Sequence, residues 1–149
     1  SANLNKAKAN NYSKYLNIDQ LLSLQNTVSS FEQEELIFIV THQSIELWFK
    51  VLILTLERLQ TKILGGDNDI INLTNDVRQC CIFMKTIIRI MKGIEALSSS
   101  KFNNFRHCLK SASGMQSAQY IKLEKILSFN ESTNINNNLS SMLMAFIIE

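Results

Sequence analysis

Between Phe31 and Leu64 the apolar positions Ile39, Leu47, Val51, Leu54 and Ile63 recur at helical rather than alternating intervals, which predicts one long helix. Ser30 and Gln33 have the spacing of a capping box at its start, and Glu32, Glu34 and Glu35 suit the positive end of the helix dipole. Gly65 and Gly66 end the pattern, because glycine readily takes the left-handed cap conformation. Residues 51–56 are β-prone taken alone, but their place inside a long helical pattern outweighs that. A second long helix is predicted from about Asn72 to Leu97. Val77, Cys81, Met84, Ile88 and Met91 form its apolar stripe, and Arg78, Lys85, Arg89 and Lys92 mark its wet face.

The flanking segments are shorter. Residues 1–11 are polar and expected to fray. Tyr12, Tyr15 and Leu16 open a short segment, and Asp19 is placed to cap a turn over residues 20–25, with 26–29 as linker. Ser98, Ser99 and Ser100 interrupt the chain after the second long helix. A short helix then holds Phe102, Phe105 and Arg106, followed by a loop over 110–114. Another helix turns Tyr120, Leu123, Ile126 and Leu127 inward. An Asn-rich loop over 130–138 precedes a last apolar helix, 139–148. The expected fold is all-α, a single helical domain over 1–149, with two long antiparallel helices and shorter helices packed on them.

Composition adds limits more than content. Of 149 residues, 46% are apolar and 19% charged, enough for a real core. A net charge of +2 gives no single-sign field, so neither nucleic acid nor a membrane surface is expected as partner. His42, Gln43, Glu46 and Lys50 break the longest apolar run, so no membrane span is expected, and the polar start lacks the apolar region of a signal peptide. The absence of proline suits long helices. Cys80, Cys81 and Cys108 have no CxxC spacing, and three reduced thiols in a cytoplasmic protein is the plain reading. Only two histidines occur, His42 and His107, and no metal, P-loop or nucleophile motif accompanies them. By pattern alone His42 is a core histidine, Arg106 a surface cation and Ser113-Gly114 an ordinary turn.

Three blocks change those priors when taken together. They are residues 12–25 (YSKYLNIDQLLSLQ), 35–50 (ELIFIVTHQSIELWFK) and 102–120 (FNNFRHCLKSASGMQSAQY). In order and spacing they resemble the tryptophan 2,3-dioxygenase family, over most of the chain from about Tyr12 to Glu124. The resemblance implies a haem b enzyme. Ferrous haem binds O2, and both oxygen atoms enter the 2,3 bond of the indole of L-tryptophan or a related aromatic amino acid. The product is N-formylkynurenine, in the kynurenine pathway. His42 matches the distal histidine that faces the indole N–H, positioning it without being an obligatory base. Phe38 and Phe102 match aromatic positions of the indole pocket. Arg106 matches the arginine that clamps the substrate carboxylate, a task for a two-pronged guanidinium. Ser113 and Gly114 match the loop beside the haem and the substrate amino group. Tyr12, Tyr15 and Leu16 match residues that reach a neighbouring subunit's pocket, which implies a homo-oligomer, a tetramer in the family.

The chain departs from the family where the axial haem histidine belongs, since no histidine follows His107. No metal ligand is therefore assigned. Either this is part of a longer enzyme, or it is a short family member with altered or lost haem binding. The alternative function is a non-catalytic member that binds an aromatic amino acid or acts in assembly. Lys110-Ser111, Met115 and Ser44-Ile45 also depart from common family residues, away from the pocket positions.

Overall fold

A computed structural model of the chain describes residues 11–66, 69–95, 97, 99–109 and 116–127. Among them every regular element is helical. A helical turn over 11–16 leads into α1 (Ile18–Leu21), α2 (Glu32–Leu64), α3 (Ile70–Glu95), α4 (Ser99–Arg106), a 3-10 turn (His107–Leu109) and α5 (Ala118–Leu127). The all-α expectation holds. The Asn-rich loop over 130–138 and the apolar helix predicted for 139–148 lie outside the described residues, as does the fraying predicted for 1–11 except at Asn11, which is helical.

Helix α2 has 33 residues and so runs about 50 Å. Glu32, Glu34 and Glu35 occupy its first turn. The capping box predicted at Ser30 does not form: Phe31 is the N-cap and makes no side-chain cap bond. The Glu35 carboxylate instead reaches back to accept the backbone N–H groups of Val28, at 3.0 Å, and Ser29, at 2.7 Å. Gly66 closes the helix at φ +75°, as its missing Cβ allows. Asp19 is no cap either, for it sits in the first turn of α1, behind a left-handed Asn17. The cap that the sequence reading overlooked is Asp69, which accepts the Asn72 N–H at 3.1 Å and starts α3 two residues earlier than expected.

The long helices pack antiparallel. Near one end, a Cβ on Gly93 would stand 3.5 Å from Thr41 Oγ1; midway, the Trp48 and Phe83 rings are 5.4 Å apart. At the other end Asp76 binds Lys62 at 2.7 Å and Arg58 at 3.2 Å. Leu52, Leu56 and Leu59 of α2 are fully buried against Val77 and Cys80 of α3, with Leu123 of α5 closing the cluster. Each such leucine contributes about 1.5–3 kcal/mol by leaving water. Burial pushes the Cys80 thiol up to about 12, so it behaves as an apolar filler.

The buried faces differ from those read along the chain. Leu47, Val51 and Leu54, whose spacing marked α2 as a helix, are exposed, while Ile45, Leu52, Ile53 and Leu56 are buried. The helix is apolar on several sides, so periodicity does not choose among them. On α3, Ile88 and Met91 face out, while Ile87 is buried and Ile90 packs against the core. Adjacent helical residues lie about 100° apart, so Ile87 and Ile88 cannot share a face. This many-sided character also makes α2 long and apolar enough to cross a membrane by length and composition, with a hydropathy of 1.5, which the reading from its interrupted apolar run had discounted. A core helix of a helical protein meets the same description.

Candidate functional site

The site grows from the N-terminal half of α2. Phe38 and His42 are one turn apart on one face, and their ring centroids lie 4.0 Å apart. Helix α4 docks on this face through Phe105, which is fully buried. Phe105 meets Phe38 edge-on at 5.8 Å and Phe102 edge-on at 5.4 Å. Phe38 and Phe102 are themselves 5.9 Å apart. The Arg106 guanidinium carbon lies 5.7 Å from the Phe102 ring centroid, in cation–π range. Lys101 ties the same helix to α2 through Glu34 at 3.1 Å, and that hydrogen bond holds the Glu34 carboxyl below its usual range.

The chemistry of each group follows from its partners. His42 Nδ1 lies 2.8 Å from the Phe38 carbonyl oxygen. A carbonyl only accepts, so Nδ1 carries a proton, and in the neutral ring Nε2 is the acceptor. Arg106 is exposed, and no carboxylate among the described residues pairs with it. The site thus offers aromatic rings, one acceptor nitrogen and one guanidinium that no carboxylate among the described residues neutralises.

Beside the aromatic cluster, His42 also borders an open groove of about 350 Å³. Leu21 and Leu24 form its outer wall, Leu47 and Lys50 its α2 side, and Gln119 of α5 its end. Gln119 is fixed by bonds to the Glu46 carbonyl, at 2.8 Å, and carboxylate, at 2.7 Å. The outer wall is held by Gln43, which donates to the Leu24 carbonyl at 3.0 Å and accepts from Gln25 at 2.6 Å. The Glu35 clamp on Val28 and Ser29 fixes the same segment further along. Burial pushes the Glu35 carboxyl up, but the hydrogen bonds from Ser29 and Val28 outweigh it and leave the group below its ordinary 4.5.

The structure therefore brings together Phe38, His42, Phe102 and Arg106. It leaves Tyr12, Tyr15 and Leu16 apart: they are 64%, 85% and 42% exposed and do not line the groove beside His42. Ser113 and Gly114 lie outside the described residues. Phe105, Glu35 and Gln43 were not read as site residues. The spacing of Phe102 and Phe105 was visible, but nothing in it says which ring is buried.

Fold and site together define an all-helical protein that gathers a cluster of aromatic rings, a histidine acceptor and an arginine stacked on one of those rings. The sequence profile of the tryptophan 2,3-dioxygenase family matches residues 1–145. The chain is 38% identical to the tryptophan 2,3-dioxygenase of Herpetosiphon aurantiacus over 124 residues, covering 83% of this chain and 47% of that protein. It is 39% identical to the tryptophan 2,3-dioxygenase of Anaeromyxobacter sp. over 116 residues, 78% of this chain and 43% of the relative. With the tryptophan 2,3-dioxygenase of Rattus norvegicus it shares 27% over 135 residues, 85% of this chain and 33% of the relative. The chain belongs to the tryptophan 2,3-dioxygenase family, and it spans less than half the length of these relatives.

Proposed function

We propose that the chain forms the substrate-binding part of a haem-dependent dioxygenase that inserts O2 into the indole ring of L-tryptophan, giving N-formylkynurenine. The observation that carries this is the single cluster of Phe38, His42, Phe102 and Arg106. Arg106 takes the substrate carboxylate through two parallel charge-assisted bonds. Phe38 and Phe102 wall the flat indole. His42 Nε2 accepts the indole N–H, because Nδ1 is already committed to the Phe38 carbonyl. The chain's share of catalysis is then orientation and exclusion of water.

In the family reading a haem b supplies the activation of dioxygen. The chain's histidines do not fit its axial position. His42 is turned to the site through its Phe38 bond, and His107 is exposed on the 3-10 turn with no carboxylate partner among the described residues. A second reading is a non-catalytic member that keeps an aromatic amino-acid site. Absorption spectra after haem addition, with any missing part of the chain supplied, separate the two: a Soret band that shifts on reduction supports the dioxygenase, and no band supports the binding protein.

Substrate assignment is tested by Arg106→Leu. Hydrogen bonds to a charged group contribute about 1.5–3 kcal/mol, so tryptophan affinity should fall ~10- to 100-fold while indole affinity holds. Arg106→Lys should restore it only in part. Equal loss for both ligands in calorimetry would make Arg106 structural. We further propose that Tyr12, Tyr15 and Leu16, exposed on their own chain, complete a neighbouring subunit's pocket in a homo-oligomer, a tetramer by family analogy. The setting proposed is the cytoplasm, without membrane or nucleic-acid partners, in keeping with the absence of a disulfide among Cys80, Cys81 and Cys108.

A further inference from the structure

We infer that Phe105 is a positioning residue that couples the indole wall to the carboxylate clamp, an inference that rests on the tryptophan reading of the site. Three of the groups assigned to the substrate, Phe38, His42 and Phe102, are only half-buried. Phe105 is the fully buried ring among them. It presents itself edge-on to Phe38, at an interplanar angle of 67°, and to Phe102, at 84°. Edge-to-face contact is the orientation that aromatic quadrupoles favour, so one fully buried ring sets the tilt of two half-buried ones. Phe38 stands against His42, and Phe102 is the platform under Arg106. A substrate that uses both ends of the site needs the distance between them held before it binds, and Phe105 is the shared support of both. A ligand that uses the aromatic end alone does not need that distance.

The test is the preference for tryptophan over indole, the ratio of their dissociation constants, measured by calorimetry on the full chain with haem supplied. Wild type, Phe105→Leu, Phe105→Met, Arg106→Leu and the Phe105→Leu/Arg106→Leu double variant are compared, with circular dichroism to count folded molecules. Phe105→Met keeps apolar bulk without a ring and serves where Phe105→Leu does not fold. Each aromatic pair is worth about 0.5–1.5 kcal/mol, so the preference should fall ~3- to 10-fold in either Phe105 variant. In the Arg106→Leu background the Phe105 change should leave the ratio as it is. A merely structural role would lower the folded fraction and not the ratio. An unchanged ratio in the Phe105 variants, with the ratio lost in Arg106→Leu, overturns the role of Phe105 and leaves the carboxylate clamp standing. A ratio untouched by Arg106→Leu, or a wild type that binds no tryptophan, overturns the clamp and this inference with it.

Discussion

In its C-terminal half, α2 sets Leu52, Leu56 and Leu59 with no accessible surface against the long partner α3. In its N-terminal half the same helix sets Phe38 and His42 against a short helix and an extended segment, and both keep part of their rings open. The first half makes a dry seam from aliphatic side chains with no polar requirement. The second must satisfy a buried carboxylate, a histidine and a guanidinium, and does so with local partners. One helix thus supplies stability at one end and leaves the other free to hold polar groups that a dry seam would penalise.

The largest effect should come from the seam. Leu56→Ala removes a fully buried side chain and should destabilise the fold by about 2–5 kcal/mol in chemical denaturation, as large-to-small core changes do. Tryptophan affinity per folded molecule should stay within about twofold, because Leu56 lies more than two helical turns along α2 from His42 and distant sites act independently. A large loss of affinity in folded Leu56→Ala would mean that the two halves are coupled.

A smaller and more local effect is expected at Glu35. Its carboxylate holds Val28 and Ser29 and has a depressed folded-state pKa. A depressed acid stabilises above its unfolded value, here near 4.5, and that contribution is lost as pH falls through the folded value. Hydrogen exchange at the Val28 and Ser29 amides should therefore rise below pH 4.5 in wild type and show no such transition in Glu35→Gln. Glu35→Ala should open this segment at neutral pH, at about 1–3 kcal/mol, with the α2–α3 seam still protected. Simultaneous loss of protection in both places would erase the distinction between the two ends.

Much of this architecture was legible. The two long helices, the glycine stop at residues 65–66 and the one-face relation of Phe38 to His42 and Phe102 to Arg106 all follow from helical spacing. What periodicity did not show was which face of α2 is buried, because Val51 and Leu52 are equally apolar and only the partner helix decides between them. Phe105 was not singled out for a related reason: its burial is a property of the α4–α2 contact, not of its own helix. The Glu35 clamp was missed because a glutamate in a first turn is already explained by the helix dipole, and its bonds run backward to a segment with no pattern. Residue types located the site, while the supports under it depended on tertiary contacts.

The smallest effect should fall at the far end of the seam, on Asp76. Its carboxylate serves two cations, Lys62 at 2.7 Å and Arg58 at 3.2 Å, and its side chain is only 13% exposed. Arg58 is 55% exposed and Lys62 33%, so solvent screens both partners. A pair of this kind contributes little alone, but two cations on one mostly buried acid make a small network near the end where α2 hands over to α3. Asp76→Asn keeps the shape and removes the charge, and should lower stability by ~0.5–1 kcal/mol at low salt. Near 1 M salt the Debye length falls to about 3 Å, and most of the difference between wild type and variant should vanish. The Leu56→Ala deficit should persist at the same salt concentration, since it has no charge to screen. A salt-independent Asp76→Asn deficit would mean that the acid acts through packing, and the seam would then be less purely aliphatic than its buried leucines suggest.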